Sequence, residues 1–137
     1  MLRRGSRPGT IRTSGERAKA IVDAGIPVMG HVGLTPQTAT ALGGLKAQGR
    51  TADKAIKVAE DAIGLDQAGC FAIVIEAVPE AVSEMIVRKV EAPTIGIGAG
   101  NVTAGQVLVL HDLVGFNAGH VAKFVKRYAD VRGEMRS

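Results

Sequence analysis

Two side chains able to move protons close apolar runs in this sequence: Glu76 ends FAIVIE and His31 ends IPVMGH. A carboxylate directly after five apolar side chains would be partly desolvated. Desolvation disfavours the charged form and raises a carboxylate's pKa, which suits a general base near neutral pH. The same Glu could instead cap the segment that follows it by accepting from free helical amides. His31 could hold an anionic substrate, or it could hydrogen-bond within a buried loop. His111 and Asp112 close QVLVLHD and could orient each other or only begin a helix; no third ligand stands at a spacing that would make them a metal site. His120 is read as surface or packing. The glycines of TIGIGAG permit close backbone approach or a positive φ, so the amides from Gly96 to Gly100 could receive a phosphate or carboxylate. The dinucleotide fingerprint is not met, because the full GxGxxG placement and a later acidic residue on a second strand are lacking.

These residues need elements to position them, and the apolar periodicity supplies an order. SGERAKAIVDAG, opened by Ser14, places Ala18, Ile21 and Val22 together and stops at Gly25, as a short capped helix does. The β-branched run from Ile26 to His31 is expected to be a strand buried on both faces. From Thr51 to Ala68, Ala55, Ile56, Ala59, Ala62 and Ile63 recur at helical spacing. CFAIVIEA is a second buried strand, and Pro79 suits the first position of the next helix, whose face holds Val82, Met85, Ile86 and Val90. TIGIGAG follows Pro93 as a third strand, and QVLVLHD is read as a fourth. Val121, Phe124, Val125 and Tyr128 predict a closing surface helix. Alternation of buried strands with helices implies right-handed crossovers and a parallel α/β sheet. The chemistry would then gather at the C-terminal ends of the strands, where His31, Glu76, the Gly96–Gly100 backbone and His111 with Asp112 fall.

Composition narrows the class. With 137 residues and 46% hydrophobic content, the chain can bury one core. It has no apolar run long enough to span a bilayer, and no hydrophobic stretch behind its basic start to make a signal peptide, which reads as cytoplasmic. The single Cys70 lies in an apolar run, where a small buried hydrophobe is expected. The net charge of +4 is concentrated at the ends, in Arg3, Arg4, Arg7, Arg12 and Arg17 and in Lys123, Lys126, Arg127, Arg132 and Arg136. One tyrosine, three phenylalanines and no tryptophan leave little to stack on bases, so a solvated surface is expected and a nucleic-acid partner is not.

Five strings in this order, VMGHVGLTPQ, LGGLKAQGR, VIEAVP, TIGIGAGNVTAGQVLVLHDLVGF and GHVAKFVKRY, resemble the ketopantoate hydroxymethyltransferase family between Ala24 and Asp130. The resemblance implies a (β/α)8 TIM barrel of which residues 14–137 are the C-terminal half, with residues 1–13 a basic irregular segment. About four parallel strands cannot close the usual barrel of about 250 residues. It also implies a magnesium-assisted, aldol-type reaction in which 2-oxoisovalerate is enolised and attacks the methylene of 5,10-methylenetetrahydrofolate, giving ketopantoate for pantothenate synthesis. Glu76 matches the family's proton acceptor, His31 its histidine in the substrate pocket, and Gly96 and Gly98 its pocket-lining loop. The family's magnesium carboxylates and a substrate-binding lysine come from the first four strands, which have no counterpart here. The Mg2+ site is therefore expected outside this chain, with little or no activity in isolation; the alternative is a non-catalytic half-barrel remnant acting in self-association or partner binding. Expected partners are the 2-oxo acid, the folate, and a second copy (a homo-oligomer) or a complementary barrel half, because unpaired strand edges adhere. The arginine-rich opening does not resemble the family's strand and reads as a displaced frame or a misplaced start.

Overall fold

The computed structural model describes residues 14–35, 49–117, 119 and 121–137. The basic opening, most of LGGLKAQGR, the end of VMGHVGLTPQ and His120 lie outside the described residues.

Helix α1, Ser14–Asp23, buries Ala18 and ends at Gly25, whose φ is +83°. It approaches helix α2, Ala52–Gln67, closely at two glycines: a Cβ on Gly15 would stand 3.1 Å from the Gly64 carbonyl oxygen. α2 buries Val58, Ala59, Ala62 and Leu65, the inward rows of its amphipathic pattern, and stops before Gly69 at φ +88°. The Asp66 carboxylate accepts from the amides of Glu91 and Ala92 at 3.2 and 2.9 Å, fastening the end of α2 to the loop before the third strand.

Strands β1 (Met29–Gly33), β2 (Ala72–Glu76), β3 (Thr94–Ile97) and β4 (Gly105–Gln106) form one sheet in the order β1-β2-β3-β4, with every pairing parallel. Helix α3, Glu80–Val87, joins β2 to β3, and Pro79, expected as its first helical residue, stands instead at its N-cap. The core lies between the sheet and the helices, where Ala62, Ile73, Ile75 and Ile86 are fully buried.

Several expectations change. β1 starts at Met29 rather than Ile26, because Pro27 has no N–H to offer a ladder; the Val28 carbonyl then accepts from Phe71 at 3.0 Å. The strands are not buried on both faces. Gly30, Val32, Ile73, Ile75, Thr94 and Gly96 are buried toward the helices, whereas His31, Val74, Glu76, Ile95 and Ile97 stay partly open and Met29 is 46% exposed. QVLVLHD is not a strand beyond Gln106. The Val107 amide still reaches the Gly96 carbonyl at 3.0 Å, but Gly98 turns β3 aside at φ +61°, leaving Leu108 and Val109 no ladder to join. Leu110–Leu113 is instead a one-turn helix, α4.

The expected closing helix is also absent. Residues 121–130 are irregular, and only Val131–Glu134, α5, is helical. The amides of Tyr128 and Val131 donate to Leu113 and Val114 at 2.8 and 3.0 Å. Donors committed to α4 and its cap cannot also close i to i−4 bonds.

Candidate functional site

His31 and Glu76 stand on neighbouring strands. The parallel register sets His31 beside Val74 and Glu76 beside Gly33, so the two side chains rise from the partly open face one step apart. They meet there: His31 Nε2 is 3.0 Å from Glu76 Oε2, with side-chain exposures of 31% and 19%. The contact is at ion-pair distance but lacks the alignment of a hydrogen bond, so Nε2, itself shut off from solvent, has no well-directed partner. An off-axis imidazole beside a carboxylate is a pair with unused directional capacity, open to a third group.

The backbone around Glu76 is tied on both sides. Its carbonyl accepts from Leu34 at 2.9 Å, and the Ala77 amide donates to Ile97 at 2.9 Å. Gly33, at φ +89°, makes the first of these possible, since a Cβ there would collide with the Glu76 carbonyl oxygen. Ala77 has a φ of +51°, the left-handed region that L-residues other than Asn and Asp seldom enter. The turn that points the chain away immediately after the carboxylate is therefore strained. No residue type announces it, because an alanine there carries no turn signal.

Gly98 and Gly100 are left-handed at φ +61° and +80° and line a cavity just past the strand ends. Gly96 does not. The space its Cβ would take is filled by Thr103 Oγ1 at 2.6 Å, and Thr103 accepts from Gln106 Nε2 at 2.8 Å. His111 and Asp112 sit on α4, not at a strand end: His111 packs edge-on against Phe116 with centroids 5.4 Å apart, and Asp112 accepts from Asn117. Neither joins the His31–Glu76 pair. Among the described residues no three His, Cys, Asp or Glu side chains gather as metal ligands. Burial, then the nearby Asp66 charge, pushes the Cys70 thiol upward in pKa, consistent with a packing residue.

The sequence model of the ketopantoate hydroxymethyltransferase family matches residues 9–137. The chain belongs to this family. A ketopantoate hydroxymethyltransferase is a TIM barrel, and the four parallel strands with their flanking helices are part of one. The match begins well before Ala24, inside the basic opening. Curated relatives carry the name 3-methyl-2-oxobutanoate hydroxymethyltransferase. The one from Nitratidesulfovibrio vulgaris is 53% identical over 117 residues, which are 85% of this chain and 38% of the relative. The one from Oleidesulfovibrio alaskensis is 57% identical over 117 residues, 85% of this chain and 40% of the relative. The one from Heliobacterium modesticaldum is 55% identical over 119 residues, 87% of this chain and 43% of the relative. The chain thus aligns with about two-fifths of the length of the ketopantoate hydroxymethyltransferases it matches.

Proposed function

We propose that this chain supplies the base of a 3-methyl-2-oxobutanoate hydroxymethyltransferase of pantothenate biosynthesis, acting in the cytoplasm on 2-oxoisovalerate and 5,10-methylenetetrahydrofolate. The observation that carries this reading is the 3.0 Å approach of Glu76 and His31 at adjacent strand ends, in a chain whose relatives bear that name. Glu76 takes the proton from C3 of the 2-oxo acid, and the freed electron pair forms the new bond to the folate's methylene carbon. Water supplies the hydroxyl oxygen as the methylene's bonds to nitrogen break, and tetrahydrofolate leaves carrying both protons. His31, held beside that carboxylate at the neighbouring strand end, orients the oxo acid's oxygen atoms against it.

The resemblance implies magnesium, which when bound would polarise the oxo acid. The described residues do not form a site for it, and no step above passes through the ion. Its ligands would come from the portion of the relatives that this chain does not match, as would the other wall of the substrate pocket. A complementary barrel half or a second copy of this chain is accordingly the expected macromolecular partner; no helix of the described residues is long and apolar enough to cross a membrane.

The test is an assay of the purified chain with magnesium, 2-oxoisovalerate and methylenetetrahydrofolate, alone and with the unmatched portion of a relative added. The chain alone is expected to give little or no turnover, the mixture measurable turnover, and Glu76→Gln in the mixture a loss of about 10²- to 10⁴-fold, the usual worth of a positioned base. Full activity of the Glu76→Gln mixture would remove Glu76 from the role. No activity under any condition would favour a half-barrel remnant that only associates.

A further inference from the structure

β2 and β3 end in the same way at matched positions. Glu76 and Ile97 are register partners on the partly open face, and the residue after each, Ala77 and Gly98, is left-handed at φ +51° and +61°. Side chains alternate along a strand, so an extended backbone would set Val78 and Ala99 on that same face, next beyond Glu76 and Ile97. Both lie instead in the core between sheet and helices: Val78 is 2% exposed and Ala99 is fully buried, in one cluster with Ile73, Ile75 and Ile86. On each strand a single left-handed residue takes the following side chain off the open face.

β3 does this with glycine, at no steric cost, whereas β2 does it with alanine, against the preference of an L-residue. What holds Ala77 there is the peptide before it. The Glu76 carbonyl accepts from the Leu34 amide on the β1 side, and the Ala77 amide donates to the Ile97 carbonyl on the β3 side, both at 2.9 Å. The peptide of the base is thus fixed between two neighbouring strands while its side chain meets His31 at 3.0 Å. Such fixing matters to a base, because a displacement of about 1 Å can cost about a hundredfold in rate.

We propose that Ala77 is a positioning residue for the base: its left-handed turn fixes the Glu76 carboxylate beside His31 and directs Val78 into the core, which leaves the face beyond the carboxylate to the 2-oxo acid. The role in the reaction rests on the transferase reading above; the geometry is measurable without turnover.

Nuclear magnetic resonance on the full chain tests it. In the parent, the Val78 methyls should cross-relax with the α protons of Gly33 and Gly49, since a Cβ built on these glycines would stand 2.6 Å from Val78 Cγ2 and 3.9 Å from Cγ1. The ring 15N resonances of His31, recorded at one pH, report whether the carboxylate is near, and Glu76→Gln gives the reference for its loss. Ala77→Val, β-branched and averse to the left-handed region, should move these resonances toward that reference. In the chain assembled with the unmatched portion of a relative, it should also lower kcat/KM by about tenfold or more. Ala77→Gly, free to enter that region, should rescue both readouts. Ile86→Val, which weakens the core elsewhere, should leave both at parent values. A folded Ala77→Val chain with parent resonances, or an Ile86→Val chain that shifts them as far, would overturn the positioning role. If Ala77→Val does not fold, the parent decides: absence of the Val78 contacts to Gly33 and Gly49 overturns it, and their presence supports it. Resonances that follow Ala77 while Glu76→Gln retains full turnover would uphold the turn's hold on the carboxylate and remove Glu76 as the base. Turnover abolished by Glu76→Gln, with resonances indifferent to Ala77→Val, would keep the base and remove the positioning role.

Discussion

Ala77 sets the direction in which the chain leaves the base, and it does so at φ +51° with the preceding Glu76–Ala77 peptide bonded through both its C=O and its N–H. A single left-handed L-residue costs about 1–2 kcal/mol, held in place here by the bonds to Leu34 and Ile97. A β-branched side chain tolerates that region worse than alanine. Ala77→Val is expected to lower unfolding free energy by about 1–3 kcal/mol, whereas Ala77→Gly should stay within about 1 kcal/mol because relief of strain offsets the added freedom of the unfolded chain. Urea denaturation of the three proteins checks this, and a Val variant as stable as the parent contradicts it. Cys70 gives a pH prediction. Its thiol pKa is raised in the folded chain by burial and then by Asp66. Below the unfolded value both states hold the proton and stability is unaffected; above it the unfolded thiol ionises while the folded one still resists, so stability falls as pH rises through the alkaline range. The urea midpoint should drop more steeply between pH 8 and pH 10, an interval of about the unfolded thiol's pKa on either side, in the parent than in Cys70→Ala. Parallel pH profiles would show that the thiol does not contribute.

At the scale of elements, what could be read in advance was whatever local periodicity determines. The helix over Ala52–Gln67, the strand ending at Glu76 and the strand Thr94–Ile97 were legible, because their apolar spacing and flanking glycines or prolines act within a few residues. The His31–Glu76 pair was legible as two strand ends, though their adjacency required the register. Phe124 and Tyr128 were misplaced for an instructive reason: their spacing is helical, but α4 and the Gly98 loop offer the segment other partners, and those long-range bonds win. The same holds for Leu108 to Asp112, whose β-like composition meets a neighbouring strand already turned away. The left-handed Ala77 carried no local signal. Two measurements follow at this scale. Native-state hydrogen exchange should show protected amides at Tyr128 and Val131 after fast-exchanging Lys126 and Arg127; continuous protection from 122 to 130 would restore the helix and refute the irregular segment. Gly33→Ala, which drives a Cβ into the Glu76 carbonyl oxygen, should destabilise the β1–β2 end by about 1–3 kcal/mol and weaken the bond between Leu34 and Glu76, seen as faster exchange at the Leu34 amide.

For the whole molecule, the decisive feature is the sheet face that carries His31 and Glu76. The helices bury one side of the sheet, while Met29, Val74, Ile95 and Ile97 share the other with the candidate base and remain at least partly open. The outer edges of β1 and β4 pair with no other strand among the described residues. A parallel sheet is stable when both faces are covered, and an unpaired edge is a template for another strand. The matched relatives are more than twice as long as the aligned region, which accounts for a face shaped to be covered by further barrel strands. Alone in solution, the chain is therefore expected to satisfy the face with copies of itself. Light scattering should give a mass that rises with concentration, and Met29→Lys should lower it, since a charge at the start of the edge strand opposes further pairing without disturbing the buried side. Adding the unmatched portion of a relative should compete with self-association and return a single defined complex. A strictly monomeric chain at high concentration would mean that its own residues close the face, and then the pocket around Glu76 would be complete without any second polypeptide.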